Sequence, residues 1–270
     1  MRNHSHASLK ALALALLTSL ALAACGGGGG SGGQTAGDSS EPTPPVVPPV
    51  VQPTATVDGF YDGSDSLGQS ITGVILSDHS FFLLYSQPDD PATLAGAVFG
   101  NGDARNGSFS ANAQDIRLDG SVQAVGLSAS YQPKQTFDGT LSYADNSSAS
   151  FSTRYNPAYE STPTLAALAG VYHGTIATPG QHEDLTLTVD ADGNMSGPLL
   201  CGCNVSAVAA PLDTGNAYRV RIEFTGGDHP LSDQVFDGTA YLDATSGRLV
   251  LIGRIESGQA PAIYAGNREQ

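Results

Sequence analysis

The chain reads as an all-β protein: two tandem antiparallel eight-stranded barrel-like repeats following a disordered linker. Three observations predict this. Apolar and polar residues alternate with a period of two over most of the second two thirds of the chain. Glycine, aspartate and asparagine punctuate those runs at short intervals, as hairpin turns require. A pair of short motifs occurs twice in the same order, which marks a duplication.

The first 24 residues carry Arg2 and Lys10, then an apolar run from Ala11 to Leu22 ending in small residues. That is the layout of a secretory signal, expected over residues 1–24, and the run falls short of the ~20 apolar residues that a spanning helix needs. Cleavage there removes two of the 11 cations and none of the 26 acids, leaving a net charge of −17. Such an acidic chain, with its cations scattered and no basic stripe, excludes nucleic acid as a partner.

Residues 25–57 form the next segment. Gly26 to Gly33 is glycine-rich, and Pro42 to Pro53 is proline-rich, so the tether reads as random coil first and polyproline II later. Fully extended it would span on the order of 100 Å, and as a coil roughly 30 Å.

The two repeats are expected at 58–162 and 163–270. Gly59-Phe60-Tyr61-Asp62-Gly63 recurs as Gly170-Val171-Tyr172-His173-Gly174, and Gln135-Thr136-Phe137-Asp138-Gly139-Thr140 recurs as Gln234-Val235-Phe236-Asp237-Gly238-Thr239. The motifs are 78 residues apart in the first copy and 66 in the second, which reads as 12 residues of insertion. Strands are expected near residues 59, 71, 81, 94, 107, 122, 136 and 149, and again near 170, 184, 194, 204, 217, 235, 248 and 260. Tyr218, Val220, Ile222 and Phe224 line one face of one such strand, and Arg219, Arg221 and Glu223 the other. One-sided strands of this kind suit antiparallel sheets with one wet face, and eight of them can close on themselves and remove their edges. Charged and hydroxylated outer faces argue against a barrel that crosses a membrane.

Cys201-Gly202-Cys203 leaves three readings open: a bridge through a turn that Gly202 permits, two free buried thiols, or a metal pair. Two cysteines without a nearby histidine fall short of the four ligands of a zinc site. Of the four histidines past the signal, His79, His173, His182 and His229, only His182-Glu183-Asp184 with His173 mixes ligand types densely, and solvated hairpin residues explain it as well. Asp190-Ala191-Asp192-Gly193-Asn194 reads as a hairpin turn, since Met195 and Cys201 stand where a calcium loop needs Gly and Glu. There is no Gly-x-Ser-x-Gly elbow, no cysteine supported by histidine and no phosphate loop, so no catalytic residues, cofactor or metal are assigned. Were the chain an enzyme, Asp62, Asp138 or Asp237 would be the carboxylates to test; Asp138 and Asp237 sit in the repeated motif, which points to scaffolding. Thirteen of the 19 Phe and Tyr residues fall between Phe60 and Tyr159, which favours the first barrel if either holds an apolar ligand. Phe81, Phe82, Leu83, Leu84 and Tyr85 read first as barrel wall and core; a hollow interior lined by Tyr61, Phe82 and Tyr85 would instead mark such a site.

Leu22-Ala23-Ala24-Cys25 resembles the lipobox of bacterial lipoproteins. The resemblance implies a diacylglycerol on the Cys25 sulfur, cleavage before Cys25, and a further acyl chain on the freed amine. Multiple chains anchor stably, at about 0.8 kcal/mol per buried methylene. Gly26, where an Asp would signal retention in the inner membrane, implies delivery to the outer membrane, on its periplasmic or surface face. The paired Gly-x-Tyr-x-Gly repeats resemble those of two-repeat β-barrel envelope lipoproteins. In architecture the chain is also similar to surface lipoproteins of the transferrin-binding protein B and factor H binding protein type, which join a glycine-rich stem to small barrels. What these resemblances imply is a non-enzymatic binding or structural module of the envelope, held to the membrane through Cys25. Its partner would be a protein, a glycan or a small apolar ligand; a surface adhesin and an envelope hydrolase are the rival readings.

Overall fold

The computed structural model describes residues 56–227, 230–232, 234–255 and 260–270. Cys25, the signal segment, the tether up to residue 55, and His229 lie outside the described residues. The expected strands are all present, and they close into two antiparallel barrels arranged in tandem.

The first barrel runs through β1 (Gly59–Asp65), β2 (Ser70–Ile75), β3 (Ser80–Gln87), β4 (Asp90–Asn101), β5 (Asp103–Arg105), β6 (Ser108–Arg117), β7 (Val122–Gln132), β8 (Thr136–Tyr143) and β9 (Ser148–Asn156). β1 pairs with β9, and β4 with β6, which closes the ring. The extra strand β5 pairs with β6 in the same register as β4, so β4 and β5 are one staved strand interrupted around Gly102. The wall therefore has eight staves. Inside, alternate residues meet in a chain of rings: Phe81 to Phe109 and Phe109 to Phe137 at 5.4 Å, Tyr61 to Phe137 at 5.6 Å, and Phe137 to Phe151 at 5.7 Å between centroids. With Ile75, Leu83, Val98 and Leu127 they fill the middle of the barrel.

A short turn (Pro157–Glu160) and a single helical turn, α1 (Leu165–Leu168), lead to the second barrel. Its strands are β10 (Gly170–Thr178), β11 (Gln181–Val189), β12 (Asn194–Pro198), β13 (Asn204–Pro211), β14 (Tyr218–Thr225), β15 (Val235–Asp243), β16 (Arg248–Ile255) and β17 (Pro261–Arg268). β10 pairs with β17 to close it, and Tyr172, Leu187, Val205, Phe224, Phe236, Leu251 and Tyr264 are among the residues filling its interior.

The barrels are fused wall to wall. Phe60, Val74, Phe82, Leu84, Ala97 and Ile116 on the outside of the first barrel form one buried cluster with Tyr241, Val250, Ile252, Ile263 and Ala265 on the outside of the second. This corrects the expectation of wet outer faces for those strands. It also explains the unbroken apolar runs in β3 and β16: Phe81, Leu83 and Tyr85 point into the first barrel while Phe82 and Leu84 point at the second, and Leu249 and Leu251 alternate likewise with Val250 and Ile252. Strands buried on both faces lose their polar alternation. Phe82 is thus not an interior residue. Fully burying a side chain of this size contributes about 1.5–3 kcal/mol, so the shared wall couples the two barrels. Polar contacts ring it: Gly180 N donates to Gly120 O at 2.8 Å, Arg254 Nη2 to Asn101 Oδ1 at 2.8 Å, and Arg248 to Ala92 O.

The first repeated motif has one structural role in both barrels. It opens the first strand, where Tyr61 Oη donates to Val57 O and Tyr172 Oη to Leu168 O, each at 2.8 Å. Gly63 and Gly174 follow because a Cβ there would lie 2.0 Å from Ser152 O and 1.9 Å from Ala265 O, on the strands that close each ring. The second motif is out of step. Phe137 lies on the seventh stave of its barrel and Phe236 on the sixth. The 12-residue difference is therefore an offset of one strand, not an insertion within equivalent repeats. Both phenylalanines are fully buried, so the motif is a local packing solution used twice.

Candidate functional site

The first barrel is filled in its middle but open at one end, the end bearing the β1–β2, β3–β4, β6–β7 and β8–β9 hairpins. A pocket of about 760 Å³ lies there, within the range of small-molecule sites. Its floor is apolar, from Ile71, Leu83 and Leu141.

Along β6 the residues Phe109, Ala111, Ala113, Asp115 and Arg117 share one face, the face turned inward. Asp115 is thus a carboxylate delivered to the barrel interior, and it is only 1% exposed. A buried charge is costly unless partners hold it, and Asp115 has several. Oδ1 accepts from Tyr85 Oη at 2.5 Å; Oδ2 accepts from Gln123 Nε2 at 3.1 Å and Tyr143 Oη at 3.3 Å, with Arg117 Nε 3.9 Å away. Each partner has a structural reason to be there. Gln123 stands directly opposite Asp115 in the β6–β7 register. Tyr143 ends β8 on the face shared by Phe137 and Leu141. Tyr85 lies where the β3–β4 register shifts, between Tyr85 and Gln87, an irregularity of the kind that re-aims a side chain. Gly96 faces Tyr85 across that pair, and a Cβ at Gly96 would lie 2.5 Å from the Tyr85 hydroxyl. The glycine makes room for the phenol to reach Asp115.

Desolvation by burial, reinforced by the Asp115 charge and hydrogen bond, raises the pKa of both Tyr85 and Tyr143 well above the ordinary phenol value. Both remain protonated donors at physiological pH. The rim is acidic: Asp65, Asp119 and Asp145 each turn a carboxylate oxygen back onto hairpin amides, accepting from Gln69 N, Ser121 N and Ser147 N respectively. Leu67, 56% exposed, projects at the same rim.

A second concavity, of about 870 Å³, lies along the junction of the barrels, with Asp78, Asn101, Arg219, Asp237 and Arg254 around apolar Leu76, Phe82 and Ile252. Its charged groups are at the surface and its floor is the shared wall.

The residues singled out by sequence lie apart from the mouth, Tyr85 excepted. Tyr61 is buried in the packed interior and Phe82 in the shared wall, so these residues are core and wall rather than the lining of a hollow interior, and a polar pocket lies above the filled core. Cys201 and Cys203 form a pair at the β12–β13 turn, Cα atoms 5.3 Å apart, with Gly202 between them in the left-handed region. His173 Nδ1 lies 3.1 Å from Thr186 Oγ1, whereas His182 Nδ1 meets Asp119 O across the barrel junction at 3.1 Å; these histidines are not brought together. Among the described residues no group of three metal-ligating side chains converges. Asp190 to Asn194 form a hairpin turn, with Asp190 Oδ1 accepting from Asp192 N and Asn194 N. Asp62 accepts from Thr72 and Asn156, Asp138 from Thr153 N, and Asp237 lines the junction groove, so the three carboxylates occupy three separate settings.

Asp115, Gln123 and Arg117 were missed by the sequence reading. The signal was present: in β6 and β7 the otherwise apolar inward face turns polar at one end, and charged residues are rarely fully buried unless paired.

No family model and no curated protein sequence matches the chain. Among solved structures it is similar to a mutant of the vaccine antigen transferrin binding protein B from Haemophilus parasuis Hp5, at 12% identity and a TM-score of 0.26, covering 77% of this chain and 66% of that one. It is likewise similar to isotype 1 transferrin binding protein B from serogroup B Neisseria meningitidis, at 10% identity and a TM-score of 0.28, over 75% of this chain and 66% of that one. A third is HpuA from Kingella denitrificans, solved in complex with human haemoglobin, at 11% identity and a TM-score of 0.28, over 80% of this chain and 89% of that one. At these TM-scores none of them fixes the fold or the ligand of this chain; the fold rests on the strand pairings themselves.

Proposed function

We propose that the chain is a lipoprotein of the bacterial envelope, anchored through lipid on Cys25, that acts as a non-enzymatic binding module with the mouth of its first barrel as the contact site. The observation that carries the site is Asp115: a carboxylate 1% exposed, held by two tyrosines and a glutamine at the open end of an otherwise packed barrel. Preorganised polar groups on rigid strands are what a binding site needs. The junction groove, by contrast, is floored by residues whose burial already holds the barrels together.

Two experiments test the two halves of the proposal. Growth with labelled palmitate should mark the wild-type chain and leave Cys25→Ser unlabelled; equal labelling of both would refute the anchor. Envelope and extracellular components captured by the full chain should be lost with Asp115→Asn and kept with Arg254→Ala, which alters the junction groove. The reverse pattern would move the site to the groove. Protease added to intact cells separates the two faces: loss of the barrels places them on the surface, and their survival places them in the periplasm.

A further inference from the structure

We propose that the mouth of the first barrel binds a neutral, polyhydroxylated ligand, a sugar residue of a glycan; this rests on the mouth being the contact site. Charge narrows the choice first. Among the described residues lining the pocket, an anion would meet Asp65, Asp115, Asp119 and Asp145 against the single cation Arg117. A ligand cation, which the rim would attract, finds the place beside Asp115 already taken, because Arg117 Nε stands 3.9 Å from Oδ2. A purely apolar ligand would strip water from Gln123 and Arg117 without replacing its hydrogen bonds. A long acyl chain has nowhere to go, since Ile71, Leu83 and Leu141 close the floor and the ring stack fills the barrel beneath.

What the site offers is hydrogen-bonding capacity of both kinds within a small space. Asp115 itself, 1% exposed, lies beneath the surface that a ligand would touch, and it orients the polar groups around it. The Tyr85 and Tyr143 oxygens donate to Asp115 and can themselves accept, while Arg117 and Gln123, both exposed, carry N–H groups nearer the solvent. A hydroxyl that donates to an oxygen and accepts from a guanidinium or amide uses both kinds at once, and a sugar ring presents several in a fixed array. The side walls add an apolar surface, from Leu67, Pro88 and Leu118, for the ring's C–H face.

The test uses the full lipidated chain in detergent against an array of neutral, carboxylated and amine-bearing oligosaccharides. Tyrosine emission gives a second readout, as the chain has 10 Tyr and no Trp. Neutral oligosaccharides should be retained above the other two classes and should change the tyrosine emission. Asp115→Asn should weaken retention by roughly tenfold, because Tyr85, Tyr143 and Gln123 lose the carboxylate that orients them. Should that variant fail to fold, Tyr143→Phe, which removes one donor from the same cluster, should weaken it severalfold, and Arg254→Ala at the junction should leave it unchanged. Retention of only amine-bearing or carboxylated members, or neutral binding indifferent to both mouth variants, overturns the proposal. If no oligosaccharide is retained while another component is still captured in an Asp115-dependent way, the ligand class is wrong and the binding site stands. If capture also ignores Asp115, the site itself is wrong.

Discussion

Replacing Tyr61 and Tyr172 with Phe, one at a time, should destabilise the protein unequally. Each hydroxyl donates to a buried carbonyl four residues earlier, at 2.8 Å, so each substitution removes one hydrogen bond and leaves one acceptor poorly satisfied. That costs about 1.5 kcal/mol. Tyr172 Oη also accepts from Arg268, whose Nε and Nη2 lie 3.1 and 2.6 Å away. Because Arg268 is partly exposed and also reaches Ala167 O, water and that carbonyl recover part of the loss, so the extra penalty is about 1 kcal/mol rather than the full value for a charged group. The Arg268 guanidinium 5.3 Å from the Tyr172 ring centroid is unaffected, since Phe keeps the ring. Tyr61→Phe should therefore cost about 1.5 kcal/mol and Tyr172→Phe about 2.5, lowering Tm by about 3–6 °C and 5–10 °C for a unit of this size. Urea unfolding of the full chain, followed by circular dichroism at neutral pH, measures both. A single transition is expected because the barrels share a wall. A cost for Tyr61→Phe equal to or above that for Tyr172→Phe, or costs under about 0.5 kcal/mol for both, would refute the reading of these tyrosines as strand-anchoring donors.

Tyr85→Phe should remove the phenol's hydrogen bond to Asp115 and weaken mouth binding severalfold while the circular dichroism spectrum stays β-rich; retained binding would show that this phenol is dispensable. Burial raises the pKa of eight tyrosines, Tyr61, Tyr85, Tyr143, Tyr155, Tyr159, Tyr218, Tyr241 and Tyr264. For a group raised in the folded state, the stability it confers is intact below the unfolded value of 10.0 and is lost as pH climbs above it, so the tyrosinate absorbance of these eight should rise late and together with unfolding. A gradual titration from pH 10 with the fold intact would contradict the burial described. The Cys201–Cys203 pair closes only a very short loop, so its chain-entropy contribution is about 1.5 kcal/mol or less, and dithiothreitol should shift the urea midpoint little. A collapse of the fold on reduction would assign the pair a larger role.

The strands were legible because hairpin turns and one-sided alternation are local properties. Places where the chain departs from the reading are those where a second surface intervenes. The unbroken apolar runs Phe81 to Tyr85 and Leu249 to Ile252 announce burial on both faces, but nothing local says that the second cover is a neighbouring barrel. The offset of Phe137 and Phe236 by one strand was hidden for a similar reason: a motif records a local packing need, whereas its place in the ring depends on how many strands precede it. Asp115 was overlooked because the small Ala111 and Ala113 make the apolar face of β6 faint, so a carboxylate at its end reads as a turn residue until closure of β4 onto β6 turns that face inward. Cys201 and Cys203 could be placed at a turn from Gly202, but their pairing depends on how tightly β12 folds back to β13.

Leu67 at the mouth and Val208 on the second barrel are similarly exposed, at 56% and 55%, which makes them matched positions for a photo-crosslinking amino acid. On intact cells, the crosslinker at position 67 should yield a discrete adduct that Asp115→Asn abolishes, and the one at position 208 should yield none. Adducts from position 208 alone, or an adduct at 67 that persists in Asp115→Asn, would contradict binding at the mouth of the first barrel.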